Sequence, residues 1–195
     1  PEIGTFRDSV TCLQPLLGDQ SGTTTLPLIE TFPTTTISAT KWTAILGPEV
    51  SLFGNNEPSL PYSLNLAGNS VSGDALTSAI IDTSGLDIGT LVLEYYWQKQ
   101  GGGDAPEPGN NLFVEYFDSL GEWTIIDAQF ANVPSSTTQF THMYIDYFPE
   151  TAYHTGFRLR FRMRESFEID QDDWFIDDIH LHAVALATCD DGILN

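Results

Sequence analysis

Basic residues are scarce in this chain. Seven Lys and Arg stand against 27 Asp and Glu in 195 residues, a formal net charge of −20. Nucleic acid is thereby excluded as a partner, because phosphate binding needs a basic surface. An anionic membrane would also repel the chain. Long apolar runs are lacking too: none approaches the ~18–20 residues of a membrane span, so no membrane insertion is expected. No window of 11 or more residues holds a 3.6-residue apolar period, which argues against a helical fold. Cysteine is limited to Cys12 and Cys189, and neither has a catalytic setting. In an oxidising compartment the two would close nearly the whole chain, a loop of about 4 kcal/mol in the chain-entropy model. The alternative is that each pairs with a residue outside it. No serine stands in a Gly-x-Ser-x-Gly elbow, and Gly101-Gly102-Gly103 lacks the strand-to-helix context of a phosphate loop.

What is present is a series of short alternating segments. The chain is 41% hydrophobic and 12% aromatic, enough for one domain with a sizeable core. Residues 1–27 read as an arm or linker. From there, strands are expected at Leu28–Phe32, Trp42–Leu46, Tyr62–Leu66, Ala79–Asp82, Leu91–Gln98, Leu112–Phe117, Trp123–Phe130, Phe140–Tyr147, Phe157–Arg164 and Trp174–Ala183. Leu112–Phe117 is expected to pair with Leu91–Gln98. Turn residues between such runs, and long loops at 47–61 and 101–111, argue for an all-β jelly-roll β-sandwich of two antiparallel sheets. The sandwich spans 28–184, and 185–195 begins a C-terminal linker.

The densest signal is Asp172-Asp173-Trp174-Phe175-Ile176-Asp177-Asp178-Ile179. By alternation, Asp177 shares a face with Phe175 and Ile179, and so points into the core. A buried carboxylate is costly without a partner, and cations are few. A hard cation, calcium, is the simplest solution, with Glu30, Asp177 and Asp178 as ligands and loop carbonyls completing the shell. Glu30 has the same difficulty on the first strand, and first and last strands are commonly neighbours in a jelly roll, so the two acids could meet over one ion. The alternative is that these acids sit at a strand end and meet water or an arginine.

Four of the five arginines lie in Arg158-Leu159-Arg160-Phe161-Arg162-Met163-Arg164, on one face of one strand. They suit either an acidic ligand, through Arg160 and Arg162, or a cross-strand ladder with Glu94 and Glu115. The ladder is favoured. Tyr96 and Trp97, among the aromatics of the fifth strand, are candidates for a sugar-stacking platform. Glu168, Asp170 and Asp173 resemble a catalytic carboxylate strand of jelly-roll glycoside hydrolases, which need two carboxyls about 5–5.5 Å apart. An acidic turn before the last strand is the preferred reading, so no enzyme is expected. His180 and His182 alternate on the last strand. Two such residues can bind zinc, but no third ligand is evident, and surface imidazoles are expected.

The order of these features resembles a family. Glu30-Thr31-Phe32-Pro33, Trp42, Pro61-Tyr62-Ser63-Leu64-Asn65-Leu66, Leu91-Val92-Leu93-Glu94-Tyr95, Gly121-Glu122-Trp123 and Trp174-Phe175-Ile176-Asp177-Asp178-Ile179 together resemble MAM domains, reelin repeats and similar modules of large secreted bacterial proteins. The resemblance implies a concanavalin- or galactose-binding-like sandwich that is extracellular and non-catalytic. It implies a structural calcium supported by Asp177 and by an acid on the opening strand, Glu30. The inner cysteine pairs of eukaryotic MAM domains are lacking, which points to the bacterial type. The tail Cys189-Asp190-Asp191-Gly192-Ile193-Leu194-Asn195 resembles the start of a Cys-rich linker, so the chain, which begins abruptly at Pro1, is expected to be a piece of something longer. The expected role is adhesion or assembly at a cell surface, with a glycan or another surface protein as partner. The alternatives are a carbohydrate-binding module of a secreted glycan-degrading enzyme and a subunit of a self-associating filament, sheath or surface layer.

Overall fold

The structure, a computed structural model, describes residues 25–68, 73–163 and 172–186. Cys12, Cys189, Arg164, Glu168 and Asp170 lie outside the described residues, as does most of the 1–27 arm. Eleven strands follow in chain order: β1 (Leu28–Glu30), β2 (Trp42–Leu46), β3 (Glu49–Ser51), β4 (Ser63–Leu66), β5 (Ala75–Ser78), β6 (Leu91–Lys99), β7 (Leu112–Phe117), β8 (Trp123–Gln129), β9 (Thr141–Ile145), β10 (Arg158–Met163) and β11 (Trp174–Ala183). They form two antiparallel sheets, one in the order β3-β4-β11-β6-β9 and the other β2-β5-β10-β7-β8. β1 pairs with the C-terminal half of β11, on the same edge that β4 occupies at its N-terminal half. The first and last strands are neighbours, as expected.

The period-2 pattern decides which side chains are buried. Along β10, Leu159, Phe161 and Met163 are buried while the arginines between them are half-buried. Their partners in the core are aromatic. Tyr95 of β6 meets Phe161 edge-on at 5.2 Å, and Tyr116 stacks on Phe157 at 6.0 Å. Each such pair adds roughly 0.5–1.5 kcal/mol beyond its buried area. The Tyr95 hydroxyl crosses the sandwich and donates to Asp127 Oδ2 on β8 at 2.5 Å. Burial, with Asp127 beside it, holds that phenol well above its ordinary value.

Three expectations are corrected. β6 and β7 do not pair: β6 lies between β11 and β9, and β7 lies between β10 and β8 in the other sheet. The expected strand at 79–82 is an isolated bridge, Ile81 to Phe157, and the strand itself is Ala75–Ser78. The loop expected at 47–61 contains β3. The segment after β3 folds back over the six-stranded sheet, and this covering loop shapes the candidate site.

Candidate functional site

β11 does not run straight. Its register with β6 shifts between Asp177 and His180, and Asp178 has φ +47°. Aspartate is among the few non-glycine residues that adopt this left-handed region readily. The bulge reverses the side-chain alternation. Trp174 and Ile176 before it, and Ile179 and Leu181 after it, all join the core. Phe175 and Asp177 face the other way, under the loop 52–60. Asp177 therefore shares a face with Phe175 but not with Ile179, and it does not point into the core.

That outward face is nonetheless closed over at Asp177, which is fully buried. The Ser59 amide donates to Asp177 Oδ2 at 3.0 Å, and the Asp178 amide to Oδ1 at 2.8 Å. The Ser59 hydroxyl donates to Asp178 Oδ1. Two reciprocal bonds between Gln98 and the Asn55 backbone, 2.8 and 2.9 Å, seal the loop to β6. Burial pushes the Asp177 carboxyl up to about 7, and the charges of Asp178 and Glu57 add to this against the two amide bonds. A buried acid with two further acids nearby suits a hard cation.

Glu30 has other partners. Its strand position opposite Ile179 turns it toward the core, so Glu30 and Asp177 leave the sheet on opposite faces. Glu30 accepts from the Trp42 indole at 3.1 Å and the Phe32 amide at 3.3 Å, and Lys41 pairs with it at 3.3 Å. Glu30 is thus met by a lysine, Lys41, where the alternative to calcium had been an arginine. Lys41 also donates to the Ile29 carbonyl at 2.6 Å.

The two acids that open β11 staple the loop 101–111. Asp172 accepts from the Glu107 amide at 3.0 Å and the Asn110 side chain at 2.7 Å. Asp173 accepts from the Asp104 amide and the Asn65 side chain, both at 2.7 Å. Burial holds the Asp173 carboxyl above its usual range, against those two bonds. These contacts are those of an acidic structural turn. A Cβ on Gly103 would stand 2.0 Å from Asp173 Oδ2. Gly103→Ala is thus expected to cost about 2 kcal/mol, within the range for overpacking. Thermal melts should show a midpoint roughly 4–8 °C lower for a domain of this size, and an unchanged midpoint would mean the Asp173 staple is dispensable.

On the five-stranded sheet the arginines form the expected ladder, with one acid rather than two. Glu115 receives Arg160 at 2.6 Å and Arg162 at 2.7 Å. Each arginine of β10 also covers a ring of the neighbouring strands: Arg158 over Phe117, Arg160 over Trp123 at 3.8 Å, and Arg162 over Phe113. Glu94, the other acid expected in this ladder, lies in the opposite sheet. Arg160 and Arg162 are thus engaged within the sheet.

The outer face of the six-stranded sheet carries an open groove. A groove of about 440 Å³ is lined by Ile29, Ser59, Glu94, Tyr96, Asp178 and His180, with His142 at its wall. Pairing sets its rows. Glu94 lies between Tyr144 of β9 and His180 of β11, and His180 lies beside Ile29 of β1. Tyr96 lies between His142 and Asp177. The Tyr96 and His142 rings are 4.7 Å apart, and His142 Nε2 is 3.1 Å from Glu94 Oε2. Trp97 is turned inward against Trp174 at 5.6 Å and is only 8% exposed. Alternation puts it with Leu93 and Tyr95, so of the two candidate stacking rings Tyr96 alone faces the groove.

The third partner for the paired histidines is Glu94. The rings of His180 and His182 stack at 4.1 Å, and ligand atoms from Glu94, His180 and His182 all lie within 4.8 Å of one another. Burial, then the neighbouring His180, holds His182 below its ordinary value, so its ring is neutral near pH 7. The pairing of β6 with β11 brings Glu94 to these rings, and that pairing was not legible in the sequence.

Neither a family model nor a curated protein matches the chain. Solved structures do. A xylan-binding domain from carbohydrate-binding-module family 22 is similar at a TM-score of 0.54 and 15% identity, over 87% of this chain and 99% of that one. The C-terminal family 22 carbohydrate-binding module of Clostridium thermocellum Xyn10B is similar at 0.52 and 16%, over 80% and 92%. The K1 cleaved adhesin domain of Lys-gingipain from Porphyromonas gingivalis W83 is similar at 0.54 and 12%, over 80% and 98%. At these identities the likeness is one of fold: the chain is a jelly-roll β-sandwich of the kind used in carbohydrate-binding and adhesin domains.

Proposed function

We propose that this domain is a non-catalytic, extracellular glycan-binding module that takes its ligand in the groove on the six-stranded sheet. The observation that carries the reading is the groove itself. Its volume falls in the range of ligand sites, and it offers an aromatic ring, Tyr96, beside acceptors and donors at Glu94, His142 and His180. Stacking on a ring with hydrogen bonds at its margin suits a sugar, whose faces are apolar and whose edges are polar. The fold shared with xylan-binding modules makes β-1,4-xylan the first glycan to try. The likeness to both kinds of domain extends only to the fold, so it is the groove and not the fold that favours glycan binding over an adhesive role.

A structural calcium belongs to this proposal. Asp177 and Asp178 would hold it beneath the loop 52–60, with Glu57 nearby, and it would supply the positive charge that Asp177 lacks. Glu30, held by Lys41 and Trp42, is left out of the set. The ion would fix the floor of the groove, since Asp178 lines it.

Native gels cast with soluble xylan, arabinoxylan, mixed-linkage glucan or pectin test the main claim. The wild-type domain is expected to be retarded in at least one gel, and Tyr96→Ala to run as in the gel without polysaccharide. A ring lost from a stacking site costs about 1–3 kcal/mol by analogy with base stacking, which weakens binding about 5- to 150-fold. Retardation equal in wild type and variant would move the site elsewhere.

A further inference from the structure

We propose that Glu94, His180 and His182 form a binding site for a divalent transition-metal ion, zinc by its chemistry. Zinc takes imidazole nitrogen and carboxylate oxygen at about 2.0–2.2 Å, and sites with three protein ligands keep a fourth position open. Two imidazoles and a carboxylate whose ligand atoms already lie within 4.8 Å of one another need only a small closure to meet one ion. Each side chain is placed by a paired strand, and His180 and His182 are two apart on the same face of β11. The His182 ring adds a second observation. Its Nδ1 is buried with no well-formed hydrogen bond, the His180 backbone offering it only a weak one, and such an atom is costly unless something occupies it.

The surroundings fit a metal as well. His142 meets the Glu94 carboxylate at 3.1 Å, so its N–H holds the carboxylate in place, as partners of metal ligands commonly do. The groove in front of Glu94 and His180 leaves the fourth position open to water or a ligand. Calcium prefers all-oxygen shells, so two imidazoles select against the ion proposed at Asp177 and Asp178. The zinc site shares Glu94 and His180 with the groove of the glycan reading, so its test uses no glycan.

Isothermal titration of the tag-free full chain with zinc, in the presence of calcium, reads the site directly. One zinc per chain is expected, with His180→Ala and His182→Ala each weakening binding at least a hundredfold and His142→Gln weakening it about tenfold. The titration contains no glycan, so failure of the glycan reading and failure of this one are separable. Circular dichroism on each variant shows whether it folds. Cobalt in place of zinc is expected to give the intense visible bands of a four-coordinate site without thiolate charge transfer. Absence of zinc binding, or affinity unchanged in both folded histidine variants, would overturn the proposal. So would thiolate charge transfer, which would assign the ion to Cys12 or Cys189.

Discussion

Asp177→Asn is expected to raise the melting temperature of the calcium-free protein at pH 8 and to flatten its pH dependence between about pH 4 and 7. The sign follows from the Asp177 carboxyl, which burial lifts from 3.8 to about 7. Across that window the folded protein binds more protons than the unfolded chain, so stability falls as pH rises, and the penalty is complete above pH 7. At 1.36 kcal/mol per unit, the shift amounts to on the order of 4 kcal/mol. Asparagine keeps the shape and can still accept from the Ser59 amide, but carries no charge to desolvate. Calcium should act in the opposite direction on the wild type. An ion bound only by the folded state stabilises by about 2.7 kcal/mol at a hundredfold excess over its Kd, and the variant should not respond. Melts in EGTA and in calcium, from pH 4 to 8, check both halves. A wild type whose stability is flat with pH in EGTA would show that Asp177 is not strained when metal-free. A calcium response retained in Asp177→Asn would place the ion elsewhere.

Glu115→Gln is expected to lose about 3 kcal/mol at pH 7. The carboxylate is only 2% exposed and receives both Arg160 and Arg162. Removing its charge leaves two adjacent guanidiniums without a counter-ion. Breaking a buried pair costs about 3–5 kcal/mol, and both arginines keep some water, which favours the lower end. Burial raises the Glu115 carboxyl, but the bonds and charges of Arg162 and Arg160 outweigh it and hold the group below its ordinary value. Its contribution is therefore fully present above 4.5 and is lost as pH falls through the lower folded value. This dependence is opposite in sign to that of Asp177, so the two acids can be told apart by pH. Denaturant unfolding measures the loss. A change below about 1 kcal/mol would mean that the ladder behaves as an ordinary surface pair. Glycan and zinc binding should survive the change, since Glu115 lies on the outer face of the other sheet.

Most strand positions were legible in the sequence because period-2 alternation is a local signal, although β3 was missed and β5 was placed four residues late. β2 was expected at its observed bounds, and so were β7 and β11. Pairing was not legible. β6 and β7 are consecutive clear strands, and alternation says nothing about which sheet each joins. That omission hid Glu94 from the two histidines, although the outward positions of His180 and His182 were already clear. The bulge was hidden for a different reason. One inserted residue reverses every later side chain, and its trace in the sequence is an Asp-Asp pair within an apolar strand, where the second Asp takes the left-handed conformation. The inward position of Trp97 was within reach, because it falls in step with Leu91, Leu93 and Tyr95. Lys41 beside Glu30 was not, since it depends on how the chain turns between β1 and β2.

A glycan bound on the six-stranded sheet would lie against Tyr96 and Glu94. Two-dimensional ¹H–¹⁵N NMR during titration with xylan-derived oligosaccharides locates the ligand directly. Shifts are expected to concentrate at Tyr96, Glu94, His142, His180 and Ser59, with Phe113, Trp123 and the β10 arginines unmoved. Shifts confined to the five-stranded sheet, or none with any glycan that retards the domain in a gel, would contradict that placement.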